Sequence, residues 1–233
     1  MTIWTDAAQL CAQSYMPNFG AWPYVAQAET EGVWWAVVNY DRLTWVVFRG
    51  SETFSKTNSV HDVVEDWARD FLAVPEHPFI SHPQLGWVHA GFMMGMEAAW
   101  SEIKKHIQGN VIYFTGHSLG AARATIATGM CRLDFPSTSL YRIVFGEPNE
   151  SIGAGGVSKL NLLCQDHWVS NYSFRTTEPS GECDPVTLVP PEPYYCPTRR
   201  INVPSTVMLM SELDVAKMHA IDQYEHAVEG YSG

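Results

Sequence analysis

The chain has few cysteines, and they are badly placed for a metal or redox centre. Cys11, Cys131, Cys164, Cys183 and Cys196 are odd in number, widely scattered and form no C-x-x-C pair, so a zinc ribbon or a thioredoxin-type centre is excluded and reduced thiols are expected. Basic residues are also scarce. Fourteen Lys and Arg face 25 Asp and Glu, a formal charge of -11, which repels phosphate backbones and anionic lipid at long range and leaves nucleic-acid binding without an electrostatic footprint. By that argument neutral or apolar substrates fit better. No stretch approaches 18 consecutive apolar residues, and Met1 to Asp6 lacks the basic and apolar regions of a signal peptide. The expectation is a cytoplasmic, soluble chain with no integral membrane segment and at most transient contact with a lipid interface. There is no repeat of fixed period, no low-complexity tract and no linker with a shift in composition, which removes solenoids and multi-domain arrays.

What is present is apolar substance, 46% of 233 residues, enough for one sizeable core, and one domain spanning 1–233 is expected. Residues 33–39 and 43–48 are rich in Val, Trp and Phe and are split by Tyr40-Asp41-Arg42, the pattern of two strands and a tight turn. From Gly91 to Gln108, Phe92, Met96, Ala99, Trp100, Ile103 and Ile107 recur at steps of three or four, which predicts one amphipathic helix. Short apolar runs at 111–114, 140–145 and 169–174 read as strands, and alanine-rich 121–131 as a helix. Strands alternating with helices imply a mainly parallel sheet covered on both faces, with ligands bound beyond the carboxyl ends of its strands.

Between the 111–114 strand and the following helix lies Gly116-His117-Ser118-Leu119-Gly120. Gly-x-Ser-x-Gly arises by chance in roughly one chain of this length in a dozen, so context decides. Strand, sharp turn and helix are the context in which a serine on a strained backbone becomes an exposed nucleophile, with glycines two residues away on either side to let the turn close. The competing reading is a helix N-cap serine. Ser118 is therefore the candidate nucleophile of an α/β-hydrolase, and the Leu119 N–H, at the positive end of the helix dipole, is the first candidate oxyanion donor. His117 is read as structural, because its side chain diverges from that of Ser118 at so sharp a turn.

A tetrahedral intermediate needs a second donor, usually from a loop after a neighbouring strand. The run Val-Val-Phe-Arg49-Gly50-Ser51-Glu, then Val88-His89-Ala90-Gly91-Phe92, then the Gly-His-Ser-Leu-Gly motif resembles the class 3, fungal-type lipase family. Asp66-Trp67-Ala68-Arg69-Asp70 and Val144-Phe145-Gly146-Glu147-Pro148 extend the likeness from about residue 30 to the end. The resemblance implies that Ser51 supplies the second oxyanion contact. The bland alternative for Gly50-Ser51 is a loop after an edge strand.

In α/β-hydrolases the acid and then the base follow the nucleophile in the chain. Cys183-Asp184-Pro185-Val186 resembles the family's acid loop, making Asp184 the candidate acid, with a turn aspartate as the plain alternative and Asp166, Asp214 and Asp222 in reserve. Of the downstream histidines His167, His219 and His226, the family likeness favours His226, which precedes Tyr231 by five residues. His219 is the runner-up, since Lys217-Met218-His219-Ala220-Ile221 equally suits a helix surface.

The expected chemistry is hydrolysis of a small-molecule or lipid ester through Ser118, Asp184 and His226, with no metal and no cofactor. His77, His82 and His89 lack helical metal-binding spacing, which argues against zinc. The same residues would serve an acyltransferase, and a silent binding module that keeps the elbow for packing is the alternative from another class. A lid is the family-like role for 53–87, although a proline-rich surface connection accounts for that segment as well. One departure from the family stands out: Ala121-Ala122-Arg123 follows the elbow where Gly-Ala-Leu is common.

Overall fold

A computed structural model describes residues 2–17, 19, 22–40, 43–51, 75–76, 80–152, 158–190, 194–196, 199–206 and 217–231. Most of the 53–87 segment, and Asp214, lie outside these residues.

A seven-stranded sheet organises the chain. Its strands are β1 (Tyr24–Thr30), β2 (Val33–Tyr40), β3 (Leu43–Phe48), β6 (Val111–His117), β7 (Ser139–Phe145), β9 (Val169–Thr177) and β11 (Arg200–Pro204), in that spatial order. β1, β2 and β3 pair antiparallel, and every pairing from β3 onward is parallel. A small antiparallel sheet joins β4 (Pro75–Glu76), β5 (Trp87–His89), β8 (Ser151–Ile152) and β10 (Tyr194–Tyr195) in the order β10-β8-β5-β4.

The central strands read as unbroken apolar runs because both faces are covered. Along β3, Val46 and Phe48 point into one core while Trp45 and Val47 point into the other, as the two-residue period of a strand requires. The first core is closed by helices α2 (Ala90–Met93), α3 (Met96–Ile103), α4 (Leu119–Asp134) and α5 (Lys159–Cys164). The second is closed by α1 (Ile3–Gln13) and α6 (Ile221–Glu229), which supply Ala7, Leu10, Tyr224 and Val228. This is the layered α/β arrangement that the alternation of strands and helices predicts.

Three local expectations change. The single helix over 91–108 is two short ones, α2 and α3. They are broken by Gly95 at φ 75°, where a Cβ would run into the Glu31 carbonyl; the apolar spacing continues across the break because both pieces face the same core. The helix expected at 121–131 extends over 119–134. Helix α1 has no counterpart in the expected elements; its Thr2 N-cap forms a reciprocal capping box with Thr5, where the sequence signature would have Glu or Gln. None of the described helices is long and apolar enough to cross a membrane.

Candidate active site

The site forms where β6 turns into α4, beyond the carboxyl ends of the parallel strands. Ser118 sits at φ 59° and ψ -127°, one of two non-glycine residues with positive φ among those described. Such a backbone costs on the order of 1–3 kcal/mol and persists only when its surroundings enforce it. They do so here: the Ser118 N–H donates to Phe145 O at 3.0 Å, a Cβ on Gly116 would strike the Gly120 carbonyl, and one on Gly120 would strike that of Phe48. The two glycines of the motif are thus points of backbone contact. The Ser118 side chain is fully buried, makes no capping bond, and its Oγ has no hydrogen-bond partner among the described residues. The N-cap reading fails on that ground.

Asp184 is held at its position by its own loop. It caps the one-turn helix Pro185–Leu188, with Oδ1 accepting from Val186 N–H at 3.0 Å. Its Oδ2 accepts from two further donors, His219 Nδ1–H and the Tyr224 hydroxyl, each at 2.6 Å. Burial alone would push this carboxyl up. The neighbouring His219 and the three hydrogen bonds more than offset it and hold Asp184 below its ordinary range, because every donor points at the ionised form.

The structure corrects the expectation for the histidine. His219, at 1% exposure, is the imidazole on Asp184, and His226 is not. Helix α6 turns Tyr224 and Val228 inward, and a residue two positions after Tyr224 lies about 200° around the helix from it. His226 is accordingly exposed on the opposite face. The reserve acids lie elsewhere. Asp166 pairs with Arg132 at 3.1 Å, and exposed Asp222 accepts from Gln223 N–H in the first turn of α6.

Two other side chains grip the backbone that carries His219. The Thr176 hydroxyl donates to Met218 O at 3.0 Å, and His117 Nε2–H donates to His219 O at 2.7 Å. Gly146, at φ 58°, leaves the space the ring occupies, since a Cβ there would come 2.6 Å from His219 Cε1. The Val-Phe-Gly-Glu-Pro segment is thereby given a physical reason for its glycine.

His117 does more than the sequence assigns it. Its Nε2 must carry the proton, because a carbonyl only accepts, so in the neutral ring Nδ1 accepts from the Tyr15 hydroxyl at 2.9 Å. That hydroxyl in turn accepts from Gly50 N–H at 3.1 Å. Tyr15 thus joins the loop after β3 to the residue before Ser118, and no spacing in the sequence announces it. Burial, with His219 beside it, depresses His117 to about 3 from 6.5. Between those values the unfolded chain binds a proton that the folded one refuses, so stability falls as pH drops below 6.5, by up to roughly 1.4 kcal/mol per pH unit. Denaturant titrations at pH 7 and pH 5 should show this slope in the wild type and a shallower one in His117→Gln; equal slopes would mean that another group carries the acid sensitivity.

The two candidate oxyanion donors come together. Ser51 and Leu119 line the same cavity of about 300 Å³, with Leu119 opening α4, where the first N–H groups lack intrahelical acceptors. The histidines considered for zinc have other roles: His82 bonds Asp134 at 3.1 Å and His89 accepts from Gly91 N–H, while His77 lies outside the described residues. Among the described residues no cluster of three metal-ligating side chains occurs.

Comparisons with known proteins bear on the family and the fold. The family model described as Lipase (class 3) matches residues 45–192. Among solved structures, the triacylglyceride lipase of Rhizomucor miehei is 20% identical with a TM-score of 0.59, covering 87% of this chain and 79% of that one. MDLA from Penicillium cyclopium, in a mutant form, is 20% identical with a TM-score of 0.58, covering 89% and 80%. A triacylglycerol lipase described as having a serine protease triad as its catalytic centre is 18% identical with a TM-score of 0.60, covering 95% and 91%. At these identities the likeness is one of fold, the α/β-hydrolase fold. No curated protein matches the chain.

Proposed function

Because the chain belongs to the class 3 lipase family and is therefore a carboxylic ester hydrolase, we propose that it cuts acylglycerols or short acyl esters through Ser118, His219 and Asp184, by way of an acyl-enzyme. The observation that carries this reading is the 2.6 Å bond between His219 and Asp184, on an imidazole whose own carbonyl is held by the residue preceding Ser118.

With its Nδ1 proton committed to Asp184, His219 keeps an Nε2 lone pair in the neutral ring. Nε2 takes the Ser118 proton as Oγ attacks the ester carbonyl, then returns it to the leaving alcohol. Asp184 fixes the tautomer and stabilises the imidazolium. Water repeats the sequence on the acyl-enzyme and releases the acid. The N–H groups of Leu119 and Ser51 receive the oxyanion in both halves. Gly50 N–H is bonded to Tyr15, so it is not the donor from that loop.

Hydrolysis of a soluble chromogenic ester by the wild type, and a loss of about 10⁴-fold or more in Ser118→Ala, is the expected result. Labelling of the wild type by a serine-directed phosphonate, absent in the variant, checks the nucleophile independently. Equal rates in the two proteins would overturn the reading and favour a silent scaffold.

A further inference from the structure

The cavity lined by Ser51 and Leu119 is also lined by Glu29, Trp34, Arg49 and Arg123. Among the described residues its lining therefore has two arginines to one glutamate, an excess of positive charge in a protein whose net charge is -11. Arg49 is engaged: it reaches Glu29 at 3.7 Å and lies 5.2 Å over the Trp34 ring. Arg123 is different. Only 8% exposed, it forms no ion pair among the described residues, and its Nε has no hydrogen-bond partner there. Burial pulls it down to about 10, with Glu29 opposing that shift from a distance, so it stays charged at neutral pH. A buried cation that no carboxylate of the described residues contacts is costly, and such a group ordinarily meets an anion.

Its position says which anion. Arg123 follows Leu119 by four residues, one turn and about 6 Å along the same face of α4. Long side chains on a helix lean back towards its N-terminus, which carries the guanidinium towards the oxyanion donor. We propose that Arg123, with Arg49 lining the same cavity, binds a carboxylate or phosphate carried by the ester itself, a few bonds from the carbonyl that Ser118 attacks. The preferred substrates are then anionic esters, in contrast to the neutral ones that net charge alone suggests. The two statements differ in range: the overall charge acts across the solvent and is screened within about 8 Å at physiological salt, whereas a buried guanidinium acts in contact and bonds a carboxylate or phosphate bidentately.

This inference rests on the proposed ester hydrolysis, and the test separates the two. The para-nitrophenyl monoester of glutarate and para-nitrophenyl pentanoate differ mainly in a terminal carboxylate. The wild type should favour the glutarate ester in kcat/KM by about tenfold or more, the scale of one charge-assisted contact. Arg123→Gln should bring that ratio towards one, Arg123→Lys should retain part of it, and Glu29→Gln should raise it. Because the readout is a ratio within each variant, a partly destabilised protein does not distort it. Competition by free glutarate against glycerol phosphate, with pentanoate ester as reporter, distinguishes a carboxylate from a phosphate as the natural group. A wild-type ratio at or below one, or a ratio that Arg123→Gln leaves unchanged, overturns the site. If the wild type cuts neither ester, the hydrolase reading fails, and calorimetry with glutarate and with inorganic phosphate decides the site alone: binding lost in Arg123→Gln supports it, and no binding, or equal binding, overturns it.

Discussion

Replacing His219 with alanine should lower kcat/KM by about 10⁴-fold or more, while His226→Ala should stay within about twofold of the wild type. The two histidines are seven residues apart and in different physical situations. His219 is buried, bonded to Asp184 at 2.6 Å and anchored by its carbonyl to His117. His226 is exposed in the last turn of α6, on the face turned away from Tyr224 and Val228. Parallel kinetics on one soluble ester settle the matter, and an inactive His226→Ala beside an active His219→Ala would reverse the assignment.

Asp184→Asn should cost about 10⁴-fold in kcat, with the fold retained. The reason is in the hydrogen-bond count. Asp184 accepts from Val186 N–H on Oδ1 and from both His219 Nδ1–H and the Tyr224 hydroxyl on Oδ2. An asparagine offers only one oxygen. If that oxygen faces His219 and Tyr224, an NH₂ group is pressed against Val186 N–H. If it faces Val186, the NH₂ meets His219 and favours the ring with its proton on Nε2, which cannot accept from Ser118. A pH profile distinguishes the outcomes, since a wrong tautomer lowers the plateau, whereas a merely weakened fold lowers thermal stability in proportion. Near-wild-type turnover in Asp184→Asn would exclude the carboxylate from catalysis.

The sequence favours His226 over His219, the histidine that the fold brings to Asp184, for a simple reason. The family-like cue was a histidine followed five residues later by tyrosine, and this chain contains it twice: His219 with Tyr224, and His226 with Tyr231. Only burial separates the copies, and burial here depends on which face of α6 meets the sheet. The apolar spacing of Tyr224 and Val228 at four residues carried that information, since it turns position 226 outward. The elbow, the parallel strands and the acid loop were legible because each is local: a strand's apolar run, two glycines around a serine, an aspartate before a proline. Tyr15 and His117 were not legible in their roles, because their partners lie 102 residues apart in the chain and only the tertiary fold brings them together. Arg123 was legible as an anomaly, a charge where a leucine is common, but not as the wall of a cavity.

The bonds around His117 and His219 have a spectroscopic consequence. His117 must carry its proton on Nε2 to serve the His219 carbonyl, whereas neutral His219 must carry its own on Nδ1 to serve Asp184. The rings are 4.6 Å apart, so two imidazoles in contact hold opposite tautomers. Nitrogen-15 resonances of the pair should therefore be mirror images, protonated and bare nitrogens exchanged between the two rings. Binding of an ester analogue at Ser118 should disturb the His219 pattern and leave that of His117 in place.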